Sequence, residues 1–347
     1  VGRPHDPGNG RQARADGEGD DDDLVGVHAH QAGDARVLGG GAHGAFTWGV
    51  LDRLLDEGWL EFAAISGTSA GALNAAALKA GLVRGGRDGA RESLRALWEG
   101  VGGVGDLRSM GWFRPFLPPA SLAARMSEAI MPVSPADLAS QVISPYDWGP
   151  FWRNPLARVV EGISLDSVCA DEGPQLFIAA TNVHSGKVRV FSGHEVSHDA
   201  ILASACLPTL FRAVEIDGES YWDGGYSGNP SLFPLYDPTL PDDVLIVSIN
   251  PLHRPEVPDS APEILNRINE ISFNSALLRD LRAIEFVRRL LSEGTVARGA
   301  MKEVLVHLIS DDDLMRSLSA RTKSTPTPML LDTLFRAGRK AATGFLD

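Results

Sequence analysis

Ile65-Ser66-Gly67-Thr68-Ser69-Ala70-Gly71-Ala72 is the stretch whose reading decides the fold. A short apolar run, Phe62 to Ile65, leads into Gly-x-Ser-x-Gly, and the helix-prone Ala72-Leu73-Asn74-Ala75-Ala76-Ala77-Leu78 follows. Strand, sharp turn and helix in that order predict a nucleophile elbow, in which small residues flank the serine because the turn is strained and crowded. Ser69 is then lifted onto the top of a sheet, with Gly67 and Gly71 as the supporting glycines. Taken alone, the pentapeptide also fits a plain βα turn without chemistry. The rest of the chain has to decide.

Towards the amino terminus stands Val37-Leu38-Gly39-Gly40-Gly41-Ala42-His43-Gly44, followed by Phe46, Val50, Leu51, Leu54 and Leu55 at helical spacing. A glycine-rich loop therefore opens an amphipathic helix, and backbone N–H groups converge at such a start, where a ligand can approach closely. Gly39, Gly41 and Gly44 satisfy G-x-G-x-x-G, but a dinucleotide fold needs an acidic residue at the end of its second strand. Here that strand ends in Ser66-Gly67, and Glu61 lies at its beginning. No Gly-Lys-Ser/Thr follows, so a phosphate-binding P-loop is a weaker reading still. Residues 1–36, with the run Asp20-Asp21-Asp22-Asp23 and no apolar periodicity, read as a disordered acidic tail.

Towards the carboxyl terminus, the elbow helix is expected to run to about Ala80, before Gly81 and a loop at Gly85-Gly86, with a second helix over Ala90 to Trp98. Residues 101–160 interleave Trp112, Phe113, Phe116, Trp148, Phe151 and Trp152 with eight prolines. Such a segment suits either a cap over an apolar cleft that takes an acyl chain or an irregular, packed excursion. Gln175 to Thr181 and Lys187 to Phe191 read as strands, Ala200 to Ala205 as a short helix, and residues 213–222 as a hairpin around Asp217-Gly218. The hairpin delivers the chain to Asp223-Gly224-Gly225. Val244 to Ile249 is a further strand and Val304 to Ile309 a last one. Between them a long helix, Pro262 to Leu291, has an apolar face suited to core packing or to a membrane surface, of which packing is favoured. Residues 311–347 read as a peripheral segment.

The chain has 347 residues, 44% of them hydrophobic, which supports a sizeable core. A net charge of -13 argues against nucleic acid as a partner and against simple adsorption to anionic bilayers, though local apolar contact with a membrane stays open. No run reaches the roughly 18 apolar residues of a spanning helix. Cys169 and Cys206 stand far apart and suggest neither a zinc site nor a disulfide framework. Without a visible signal peptide, a cytoplasmic location is the default expectation.

Three ordered motifs, Gly39-Gly40-Gly41-Ala42-His43-Gly44, Gly67-Thr68-Ser69-Ala70-Gly71 and Asp223-Gly224-Gly225, together resemble the patatin-like phospholipases. Ala203-Ser204-Ala205-Cys206-Leu207-Pro208 and Phe211 look like the family's block ahead of its aspartate. The resemblance implies an α/β fold, a three-layer α/β/α sandwich with a central, mostly parallel sheet, and a catalytic domain over residues 37–310. It implies a Ser-Asp dyad in place of a triad: Ser69 as nucleophile, Asp223 as its base, and the N–H groups of Gly39, Gly40 and Gly41 as oxyanion donors, with Gly44, Gly224 and Gly225 in support. The expected substrate is a lipid or other carboxylic ester, with no metal or organic cofactor. The chain departs from the family pattern at Gln31 to Arg36, where a full apolar strand is usual, and at His43, where arginine or lysine is common. A Ser-Asp-His hydrolase drawing on His184, His194, His198, His253 or His307 is the rival within enzymes; a non-catalytic lipid- or nucleotide-binding module is the rival outside them.

Overall fold

The computed structural model describes residues 41–104, 144–148, 154–229, 231–318, 322 and 326–347. The expected acidic tail, the Val37-Leu38 strand, Gly39, Gly40 and most of the aromatic and proline-rich stretch lie outside these residues.

Helix α1 (Gly44–Leu54) buries Phe46, Val50, Leu51 and Leu54, the face that the spacing predicts. Strand β1 (Ala64–Gly67) then leads into α2 (Ala70–Val104), which is kinked at Gly85 and Gly86. Gly86 takes φ 60° and ψ -145°, a conformation closed to residues with a Cβ. The first limb of α2 therefore passes through Gly81, where the sequence suggests an end, because that glycine serves a close approach: a Cβ there would lie 2.4 Å from the Gly89 carbonyl oxygen.

Next come α3 (Ala157–Glu161), α4 (Leu165–Val168), β2 (Gln175–Asn182), β3 (Val188–Ser192), α5 (His198–Ser204), β4 (Val214–Ile216) and β5 (Glu219–Asp223). The chain continues through β6 (Asp243–Ser248), α6 (Ala261–Ser292), β7 (Leu305–Ser310), α7 (Asp312–Ser317) and α8 (Pro328–Leu346). β1 pairs in parallel with β2, and β6 with β7. The antiparallel pairings all involve the hairpin strands: β3 and β5 on β2, and β4 on β5. Asp217 and Gly218 both have positive φ, 53° and 79°, as a tight hairpin turn requires.

The layers follow from the two-residue period of a strand, which sends successive side chains to opposite faces. Ile65, Leu176, Ile178, Leu245 and Val247 join one apolar cluster with α1, α2 and α8. Their neighbours Ala64, Val244 and Ile246 join a second with Leu277 and Ile284 of α6, and Phe177 packs against it. Sheet residues thus serve helices on both sides, which gives the α/β/α fold its three layers.

α8 departs from the expectation of a peripheral segment. Leu331, Leu334 and Ala342 are buried in the main core, and the helix crosses α1 backbone to backbone. A Cβ on Gly49 would lie 1.9 Å from the Phe335 carbonyl oxygen, and one on Gly338 would lie 2.0 Å from that of Phe46. Around this crossing Arg53 Nε donates to Thr343 Oγ1 at 3.1 Å, and the Arg339 guanidinium pairs with Asp52 and Asp56. Neither the glycines nor the prolines flanking this helix mark it as core in sequence.

Candidate functional site

Ser69 sits between the last residue of β1 and the first of α2 with φ 56°, one of two non-glycine residues with positive φ among those described. That left-handed conformation is costly for a residue with a Cβ, on the order of 1–3 kcal/mol. It persists because the turn is fixed from several sides. The Gly71 N–H donates to the Thr68 carbonyl at 2.8 Å, and a Cβ on Gly67 would lie 2.6 Å from the Gly71 oxygen, so only glycine fits there. The Ser69 N–H donates to Ser204 Oγ at 3.0 Å, and that hydroxyl donates onward to the Ala179 carbonyl at 2.6 Å. Ser69 Oγ itself is buried and has no hydrogen-bond partner among the described residues. The elbow expected from the sequence is present.

Asp223 ends β5 and is fully buried. Its N–H donates to the Cys206 carbonyl at 2.7 Å, its carbonyl accepts from Thr181 Oγ1 at 2.8 Å, and its Oδ1 accepts from the Gly225 N–H at 2.8 Å. The aspartate is thus held at both ends of its backbone and through one carboxylate oxygen. Gly224 and Gly225 are dictated by space: a Cβ on the first would lie 2.1 Å from the Ala179 oxygen and 2.9 Å from Thr68 Cγ2, and one on the second 2.8 Å from the Phe273 ring.

These contacts bring the two motifs together. Thr68 Oγ1 donates to the Gly228 carbonyl at 3.1 Å and Ser66 Oγ to that of Ser231 at 2.8 Å, so the elbow is stitched to the loop that follows Asp-Gly-Gly. The same strand, β2, offers the Ala179 oxygen to Ser204 and pairs Ala180 with Asp223. In the sequence Ser204 is simply part of the block ahead of the aspartate. The structure makes it the link between the Ser69 backbone and the strand beside Asp223, and its only sequence signal is a serine set in an alanine-rich run.

Of the glycine-rich loop, Gly41 and Gly44 are described and both are buried; the Gly44 N–H donates to the Gly41 carbonyl at 2.8 Å. A Cβ on Gly44 would lie 2.7 Å from that of Ala70 and 2.5 Å from the Trp98 ring, so the start of α1 abuts the start of α2. Asn74 secures this junction: its Nδ2 donates to the carbonyls of both Gly44 and Ala70 at 3.1 Å, and its Oδ1 accepts from Trp98 Nε1 at 2.9 Å. His43 is buried and hydrogen bonds Thr322 Oγ1 at 3.0 Å, so it does not face solvent.

Burial pushes the Cys206 thiol up to about 12, with the Asp223 charge adding to it. Among the histidines of the rival triad, His307 hydrogen bonds Asp243 at 3.1 Å and meets Phe345 edge-on, His198 hydrogen bonds the Ile163 carbonyl, and His253 is exposed. Among the described residues no group of three His, Cys, Asp or Glu side chains is arranged to hold a metal ion, and no helix is long and apolar enough to cross a membrane. Of the aromatic excursion, Pro145–Trp148 forms one 3-10 turn that docks through the Tyr146 ring and carbonyl on Arg212.

The crystal structure of VipD from Legionella pneumophila is similar to this chain at 16% identity and a TM-score of 0.41, over 92% of this chain and 66% of VipD. No curated protein matches the chain. The family model described as patatin-like phospholipase matches residues 37–236. Because that match spans more than half of the chain and takes in all three motifs, the chain belongs to the patatin-like phospholipase family.

Proposed function

We propose that the protein is a serine acyl hydrolase that cleaves carboxylic esters of lipids through Ser69, Asp223 and an acyl-enzyme intermediate. The observation that carries this reading is the state of Ser69: strained backbone, a buried hydroxyl with no hydrogen-bond partner among the described residues, and Asp-Gly-Gly packed on the adjacent Thr68. Family membership supports lipid esters as the substrate class.

A serine hydroxyl is a weak nucleophile until a neighbour accepts its proton. In the proposed cycle Asp223 takes that proton as Oγ attacks the ester carbonyl carbon, and the carbonyl π electrons move onto oxygen. The oxyanion meets the N–H groups of Gly39, Gly40 and Gly41, each such donor being worth about 3 kcal/mol in comparable sites. Gly44 and Asn74 hold that end of α1 against the elbow, and the Gly44 N–H donates to the carbonyl of Gly41, the one of these three donors among the described residues. The intermediate collapses, the C–O bond breaks, and the leaving alkoxide takes the proton back from Asp223. Water then attacks the acyl-enzyme with Asp223 again as base, and releases the acid and Ser69.

The test is labelling of the full chain with a fluorophosphonate, followed by hydrolysis of p-nitrophenyl esters. Wild type should be labelled and active and Ser69→Ala neither. A folded wild type that takes up no label would favour a lipid-binding module instead.

A further inference from the structure

α6 has two apolar faces, and among the described residues only one of them is spent on the core. Phe273, Leu277, Ile284 and Leu291 are buried, and Phe273 reaches the Asp-Gly-Gly loop. Ile264, Leu265, Ile268, Ile271, Leu278 and Phe286 are exposed. At about 100° per residue, Ile264, Ile268, Ile271, Leu278 and Phe286 fall within roughly 80° of arc, a single stripe opposite the buried face.

Arg282 and Arg289 fall on the same stripe, Arg279 lies at its edge, and all three are exposed. The Arg289 guanidinium stands 5.5 Å from the centre of the Phe286 ring, and these two line a shallow groove with Leu278, Leu281, Arg282 and Glu285. The stripe is therefore apolar over its first half and cationic over its second, on a chain whose net charge is -13. Two exposed acids lie beside these three arginines, Glu285 at the margin and the cap residue Glu293 beyond Arg289, so the cations outnumber them. A local cationic patch on an acidic protein calls for an anionic partner. Long apolar side chains beside arginines, laid along a 32-residue helix, match a bilayer interface, where the side chains enter the acyl boundary and the guanidinium groups stay at the headgroups.

We propose that this outer face of α6 docks the protein on an anionic lipid surface. The charge places the anionic headgroups over Arg279, Arg282 and Arg289, and the isoleucines enter the leaflet beside them. The proposal does not depend on the hydrolase reading, since it concerns binding alone.

The test uses the full chain carrying Ser69→Ala, so that no lipid is consumed, in co-sedimentation with phosphatidylcholine vesicles made with and without phosphatidylglycerol. The protein should bind the anionic vesicles, and added salt should weaken binding. Arg282→Gln with Arg289→Gln should cost about fivefold in affinity per arginine removed. Ile268→Ser with Ile271→Ser should lower binding to both vesicle types. All four positions are exposed or carry exposed side chains, so thermal unfolding should be unchanged and will identify any variant that misfolds. Absence of binding by Ser69→Ala, or equal binding by folded variants, overturns the proposal. So does a concentration-dependent dimer that the isoleucine pair abolishes, which would assign the stripe to a second copy of the chain.

Discussion

Ser204→Ala isolates the contribution of the link behind Ser69. The substitution removes the acceptor of the Ser69 N–H and the donor to the Ala179 carbonyl, at a fully buried position. A buried N–H left without a partner costs about 1–3 kcal/mol, and the second bond contributes about 1 kcal/mol. The expected loss is therefore about 2–4 kcal/mol, against a total stability on the order of 5–15 kcal/mol, so the variant should still fold. Alanine adds no bulk, so the loss reflects hydrogen bonding alone. The catalytic consequence follows from φ 56° at Ser69: with one restraint gone the turn can relax, Oγ moves, and kcat should fall while KM stays nearly unchanged. Urea unfolding followed by circular dichroism gives the first number, and turnover of a p-nitrophenyl ester the second. A variant whose unfolding free energy lies within about 0.5 kcal/mol of wild type and whose kcat is unaltered would refute the reasoning.

Asp223→Asn preserves size but cannot accept a proton, so ester hydrolysis should fall by about 10²–10⁴-fold with the far-ultraviolet spectrum retained; full activity would remove Asp223 from the mechanism. Gly338→Ala drives a Cβ to 2.0 Å from the Phe46 oxygen, so α8 must shift from α1 and stability should drop by about 1–3 kcal/mol or more, read as a lower Tm. Cys206, pushed up to about 12, is almost wholly protonated at pH 8. Relative to a free thiol near 8.5 its thiolate fraction is lower by about 10³-fold, so alkylation at pH 8 should report Cys206 only on unfolding.

Those features of the fold that rest on short-range patterns were legible in the sequence. Gly-x-Ser-x-Gly after an apolar run gave the elbow, Asp217-Gly218 gave the hairpin turn, and the spacing of Phe46, Val50, Leu51 and Leu54 gave the buried face of α1. What escaped depends on contacts between distant segments. Gly81 reads as a helix end, but its missing side chain serves the approach of Gly89; Gly49 and Gly338 likewise carry meaning only when the two helices are seen to cross. Asn74 and Ser204 look like ordinary polar residues in alanine-rich runs until their partners, Gly44, Trp98, Ser69 and Ala179, are in place. The sequence reads as one apolar face on α6, and only packing divides those residues into a buried set with Leu277 and Ile284 and an exposed stripe with Ile264, Ile268 and Ile271.

The crossing of α1 and α8 also sets a timetable. Arg339 and Asp52 are 287 residues apart in sequence, and Arg53 and Thr343 are 290 apart, so the helix that follows the glycine-rich loop finds its last partner long after it has been made. At about 5–20 residues per second of synthesis, α1 leaves the ribosome roughly 15–60 s before α8 does. Over that interval the backbone surface at Gly49 is uncovered, and a nascent chain that already carries both Ser69 and Asp223 still lacks the helix that packs across α1. Completion of the packing around α1, beside the candidate site, is thereby deferred until α8 has been made.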